Sequence, residues 1–255
     1  MEEEELFDQS HCDHCACGAG LDFDFSFAFQ PIVDADTGGI MAHEALVRGL
    51  NGEGAGEVLG RVTRSNMYRF DQACRVKAVK LASELGMTSR LCINFMPNAV
   101  YRAETCIQTT LAAARRYDFD TSRLVFEFTE VENLADTDHL ISIVDAYEEM
   151  GFAIALDDYG AGYSRMNLLT DTTPEYLKLD MSLIRDVEQY PRKQAVIEGI
   201  LLTNDRLGIA TIAEGIETEA EYQWCRGMGI RYFQGYLLAR PGFETLPSPY
   251  IPSDH

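Results

Sequence analysis

The 255-residue chain carries 41 acidic against 21 basic residues, a net charge of −20 with histidine neutral, and 46% of it is apolar. That content fills one substantial core, and ~250 residues is the usual size of a (β/α)8 barrel folding as a single domain. The negative charge disfavours nonspecific attraction to nucleic-acid polymers or anionic lipid, so an anionic substrate would need local help from cations or single basic residues. No apolar run approaches the ~20 residues of a membrane span, and MEEEELFDQS lacks the features of a signal peptide; the reading is cytoplasmic.

Residues 1–22 form an acidic arm without core periodicity, and the barrel is expected over 23–255. The arm packs Cys12, Cys15 and Cys17 together with His11 and His14, enough ligands for a tetrahedral Zn²⁺ site or a redox switch. One crowded knot differs from the two separated ligand pairs of most zinc modules, and a reactive tail without metal is the alternative. Cys74, Cys92, Cys106 and Cys225 are scattered among expected helices and strands and read as reduced, buried thiols.

FSFAFQPIV (25–33) and IMAHEALVR (40–48) bracket the turn DADTGG and read as an antiparallel hairpin, an unusual start for a parallel barrel. After the Gly-rich NGEGAGE, Ser65 is placed to cap a helix through about Leu85, with Phe70, Cys74, Ala78, Leu81 and Leu85 on one face and Gly86 as its stop. From there strand and helix alternate. Strands are expected at 90–95, 123–128, 152–157, 175–180, 209–214 and 231–236, with helices near 101–116, 137–150, 186–207 and 217–227. Two opening strands and six more make eight, an α/β barrel; LPSPYIPS beyond them is a Pro-rich extension.

Acidic and amide residues recur at the ends of these strands: Glu44, Asn94, Glu127, Asp157, Asp158, Asp180, Glu214 and Gln234. In a closed parallel barrel they meet at one rim, where carboxylates repel at ~4 kcal/mol per pair at about 4 Å for an effective dielectric near 20. Divalent cations answer that repulsion. Adjacent Asp157 and Asp158 should point to different sides, so that one bridges two ions and the other binds one. Lys178 and Asp180 share a strand face and project into the cluster, where the lysine forms an ion pair or orients or deprotonates a water. Arg48 shares Glu44's face and is suited to a phosphate oxygen, or to a surface salt bridge; His43 faces the other way and reads as a packing or surface residue rather than a ligand.

Glu44-Ala45-Leu46 with Val47-Arg48 resembles the EAL signature of cyclic di-GMP phosphodiesterases. QPIV (30–33), INF (93–95), FEFTE (126–130), DDYGAGYS (157–164), LKLD (177–180), AEGIE (213–217) and FQGYLLARP (233–241) resemble the family's other motifs in order. EALVRG, RFDQACRVKA and CINFMPNAVY are most similar to EAL domains joined to blue-light-sensing flavin (BLUF) domains. The resemblance implies a modified TIM barrel with one antiparallel strand and hydrolysis of cyclic di-GMP to linear pGpG with two Mg²⁺ or Mn²⁺ ions. It implies one ion at Glu44, Asn94, Glu127 and Asp157, and another at Asp157, Asp158 and Glu214, with Asp180 close by. It further implies that Lys178 assists the water, that Gln234 adjoins the catalytic shell, that Glu130 anchors the DDYGAG loop, and that Gln30 and Arg48 contact the dinucleotide. A homodimer, formed through the helix after that loop, and a regulatory protein partner are expected on the same ground. The alternative on the same fold is a silent receptor for cyclic di-GMP or a protein-interaction module.

Overall fold

A computed structural model of the chain describes residues 21–129, 137–161 and 167–252. Strand β1 (Ser26–Asp34) turns back as β2 (Gly39–Arg48) in an antiparallel register that sets Gln30 opposite Glu44. Asp34 closes the turn itself, its Oδ1 accepting the Asp36 N–H at 3.0 Å and its carbonyl the Gly38 N–H at 2.9 Å. A short helix, α1 (Ala55–Leu59), lies in the Gly-rich stretch, and α2 spans Met67–Glu84. Its cap is Asn66 rather than Ser65. The Asn66 carboxamide accepts from Thr63 N and donates to Arg61 O, which fixes the entry to the helix from outside its first turn.

The alternation then runs β3 (Arg90–Asn94), α3 (Ala103–Arg116), β4 (Leu124–Thr129), α4 (Thr137–Glu149) and β5 (Ala153–Tyr159). It continues with α5 (Leu168–Asp171), β6 (Tyr176–Leu179), α6 (Met181–Ile184), α7 (Pro191–Leu207), β7 (Ala210–Ala213), α8 (Glu219–Gly227) and β8 (Tyr232–Phe233). Helix α7 begins at Pro191, not near 186, because proline suits the first helical position and Tyr190 before it is extended. Strands β2 to β8 pair in parallel, each with the next, and β1 fits between β8 and β2, antiparallel to both. The result is a closed eight-stranded barrel. A ninth strand, β9 (Gly242–Phe243), lies against the outer end of β1. Two residues beside Pro241 leave no alternation to read, so sequence pattern passes over it.

Strand alternation splits the apolar residues into two layers. Ile32, Ala42, Cys92, Val125, Ala155, Tyr176 and Ile212 are among those that fill the lower barrel interior. Their neighbours Phe29, Ala45, Ile93, Phe126, Leu156 and Leu177 face outward beneath the helices. His43 also faces outward; its Nδ1 shares a hydrogen bond with Ser89 Oγ at 2.8 Å, and burial pushes its pKa down to about 4. Cys74, Cys92, Cys106 and Cys225 are buried free thiols. One pleat above the apolar interior, the same strand faces carry Glu44, Asn94, Glu127, Asp157, Lys178 and Glu214.

Candidate metal centre at the barrel rim

Glu44, Glu127 and Asp157 each present an oxygen within 4.8 Å of the others, and Asp157, Asp158 and Glu214 form a second such group. Asp157 belongs to both. Beneath them the buried Lys178 ammonium lies 2.8 Å from Glu214, 3.1 Å from Asp157, 3.2 Å from Glu127 and 3.3 Å from Glu44. Two carboxamides hold Glu44 from either side: Asn94 Nδ2 donates to Oε1 at 2.9 Å and Gln234 Nε2 to Oε2 at 2.8 Å. Gln234 also donates to Gln30 Oε1 at 3.2 Å, and Gln30 in turn donates to Ala239 O. Among the described residues Glu127 Oε1 is buried with no hydrogen-bond partner.

These groups share too little positive charge. Burial drives the Glu127 carboxyl up to about 8, against the pull of Lys178, and raises Asp157 and Glu214 as well. Asp158 rises to about 6 through burial and the charges of Asp157 and Asp180. Burial acts the same way on Glu44, but Lys178 and the two carboxamides outweigh it and hold that group below its ordinary value. Burial alone would lower Lys178; four carboxylates lift it well above the usual lysine range. Five carboxylates around one ammonium therefore retain protons or take up cations. Hard oxygen donors in two groups, together with the orphaned Glu127 oxygen and the carboxamide oxygen of Asn94, whose Nδ2 bonds Glu44, make a donor set that fits Mg²⁺ or Mn²⁺.

Strict alternation would turn Asp158 away from Asp157. It does not, because the pairing of β5 with β6 slips between Leu156 and Tyr159 and Asp158 adopts a left-handed φ of 55°. The bulge rotates the second carboxylate to the same side as the first. Asp180 borders the cavity of about 300 Å³ above the cluster, yet its carboxylate lies outside both oxygen groups and accepts the Ser182 N–H at 2.9 Å, capping α6. Arg48 is half-buried and turned onto its own strand, donating to Val47 O at 2.7 Å, and it does not line that cavity. Glu130 and the cluster of Cys12, Cys15, Cys17 and His14, with its Zn²⁺ reading, lie outside the described residues.

Two glycines at the site went unremarked in the sequence, though both sit inside quoted motifs. Gly215 has φ 66°, and a Cβ on Gly235 would lie 2.1 Å from Ile216 O. The loops after β7 and β8 touch backbone to backbone there, with Ile216 N–H donating to Gln234 O at 3.1 Å, and this contact aims Gln234 at Glu44.

A closed barrel with one reversed strand and an acidic rim suited to divalent cations defines a class of α/β barrel. The chain belongs to the EAL-domain family, whose model matches residues 21–241. It is similar to a standalone versatile EAL protein from Vibrio cholerae O395, solved in a c-di-GMP bound form, at 49% identity and a TM-score of 0.88 over 91% of this chain and 98% of that one. Klebsiella pneumoniae BlrP1, solved with calcium and cyclic di-GMP, is similar at 31% identity and a TM-score of 0.83, over 88% of this chain and 57% of that one. In sequence, the chain is 27% identical to the blue light- and temperature-regulated antirepressor BluF of Escherichia coli (strain K12) over 95% of its length. It is 30% identical to cyclic di-GMP phosphodiesterase PA2567 of Pseudomonas aeruginosa over 84%. It spans 60% and 38% of the lengths of those two relatives.

Proposed function

We propose that the chain is a cyclic di-GMP phosphodiesterase that uses two Mg²⁺ or Mn²⁺ ions to open one phosphodiester bridge, yielding linear pGpG. The observation that carries this reading is the pair of oxygen groups joined at Asp157 above a buried lysine. Glu44, Asn94, Glu127 and Asp157 would hold one ion, and Asp157, Asp158 and Glu214 the other. When bound, the ions would supply Lewis acidity at the phosphate and offset the charge of the rim.

The chain's own residues do the rest. Lys178, kept protonated by its carboxylate partners, donates hydrogen bonds that orient the attacking water in line with the P–O bond that breaks. Glu214 has the most exposed side chain of the four carboxylates around Lys178, which suits it to receive the proton that water loses. Gln234 and Asn94 keep Glu44 oriented, while Gln30 and Arg48 would contact the dinucleotide, Arg48 after swinging off Val47 O. Asp180 limits the cavity on the Asp158 side. Glu130 is proposed to anchor the loop after β5. The barrel of residues 23–255 would act as the catalytic unit, as a cytoplasmic homodimer under a regulatory partner; no described helix is long and apolar enough to cross a membrane.

A second reading keeps the fold without cleavage, as a receptor or interaction module, and BluF's description as an antirepressor favours it. The full set of rim carboxylates and Lys178 favours the enzyme. Incubation of the purified chain with cyclic di-GMP and Mg²⁺ or Mn²⁺, followed by chromatography, should give pGpG, with no product in excess chelator. Cyclic di-GMP recovered intact but bound would establish the second reading instead.

A further inference from the structure

Behind the strands that carry Asn94 and Glu127, α2 buries an ion pair for which the proposed reaction has no use. Asp71 Oδ2 lies 2.8 Å from Arg75 Nε, and Arg75 Nη1 donates to the Tyr147 hydroxyl on α4 at 2.6 Å. The guanidinium carbon stands 5.3 to 5.8 Å from the ring centres of Phe126, Phe95 and Tyr147. Arg75 is 0% and Asp71 2% exposed. Apolar side chains of similar volume would pack helix against sheet at least as well, because desolvation offsets most of the attraction in a buried pair.

An apolar pair could not accept a hydrogen bond from the chain, and Asp71 does so. Its Oδ1 takes the Met96 N–H at 3.0 Å, two residues beyond Asn94. Between them, Phe95 N–H donates to Glu127 O at 2.9 Å. Asn94, Phe95 and Met96 border a cavity of about 290 Å³ together with Asp71, so close packing does not fix this segment from that side. Phe95 packs its ring on Phe126, Phe128 and Tyr147, and on the cavity side polar anchors hold the backbone.

We propose that Asp71 is a positioning residue for the metal centre: from outside the barrel it holds Met96 N–H and so sets where Asn94 presents its carboxamide to Glu44 and to the first ion. Arg75, held by the Tyr147 hydroxyl and the three rings, balances the charge of the buried Asp71 carboxylate. The inference rests on the metal reading above and adds to it a support on the far side of the strand.

The test uses the full chain with Arg75→Met, which leaves no buried guanidinium unpaired, combined with Asp71→Asn or Asp71→Leu. Asparagine keeps an oxygen for Met96 N–H and leucine removes it at similar volume. Mn²⁺ is titrated calorimetrically into chelator-treated protein, with thermal unfolding as the check on folding. The expected result is Mn²⁺ affinity about tenfold or more weaker in the leucine variant, with the asparagine variant staying near the unmodified chain. Equal affinity in the two variants overturns the proposal. A second arm needs no variant: hydrogen exchange at the Met96 amide of the unmodified chain should be as slow as in the barrel strands, and fast exchange overturns the anchor however the variants fold. Failure of the unmodified chain to take up Mn²⁺ would instead remove the metal reading, leaving Met96 exchange to judge the anchor.

Discussion

Two buried cations lie on opposite sides of the same strands, and their surroundings differ in charge balance. Arg75 has one carboxylate, one hydroxyl and three aromatic faces, a set that neutralises it and satisfies Asp71 in return. Lys178 has four carboxylates within 3.3 Å and a fifth, Asp158, beside them. The balanced group is neutral as it stands, although among the described residues Arg75 Nε and Nη2 are buried without a hydrogen-bond partner, and it serves geometry. The unbalanced one is complete only with protons or cations, and that deficit marks the functional site.

Mutation separates the two. Asp157→Ala, which removes the carboxylate common to both groups, should abolish turnover, as should Glu44→Ala. The Asp157 variant should unfold at the same or a higher temperature than the unmodified chain in cation-free buffer, because a group whose pKa is raised by its neighbours has gone, whereas the Glu44 variant, which strips Asn94, Gln234 and Lys178 of a shared acceptor, should unfold at a somewhat lower one. Full activity in either purified variant would refute the site. Arg75→Ala should do the reverse, destabilising the fold by ~3–5 kcal/mol through the uncompensated Asp71 charge. Denaturant unfolding with and without Mn²⁺ should return nearly the same cost, and a cost that Mn²⁺ cancels would place Arg75 within the metal centre's own charge balance.

Gly235→Ala should have a smaller effect on the fold than Arg75→Ala while raising KM or lowering kcat, since backbone must shift where Gln234 is aimed. Wild-type kinetics in that variant would show that the loop contact does not position Gln234. The smallest expected effect lies at the far end of the barrel, where Arg231 holds the Asp34 carboxyl well below the usual carboxylate range. That pair stabilises the fold above the unfolded aspartate value near 3.9, and the stability is lost as pH falls through the folded value. Asp34→Asn should therefore lower the unfolding temperature at pH 7 and leave a shrinking difference as the pH drops below about 4. A constant difference across that range would assign the cost to packing.

Much of this molecule is legible in its sequence because the strand period is two and the barrel has two sides. Ala42 and Glu44, Val125 and Glu127, Tyr176 and Lys178 share faces by parity alone, so a strand-end carboxylate beyond an inward apolar residue already points at the rim. The opening hairpin was readable from its Asp/Gly turn. The position of Asp158 was not, because a left-handed residue in a bulge breaks the alternation from which its side was inferred. Asp180 followed parity to the cavity, but a local helix cap draws its carboxylate aside. Asp71 and Arg75, four apart on a helix, have the spacing of an ordinary exposed pair, and only the layer of aromatic residues from β3, β4 and α4 encloses them.

Anomalous diffraction from crystals of the chain soaked in Mn²⁺ tests the central claim most directly. Two peaks should appear, one bound by Glu44, Asn94, Glu127 and Asp157 and the other by Asp157, Asp158 and Glu214. A rim without manganese, or with the metal away from Asp157, would contradict it.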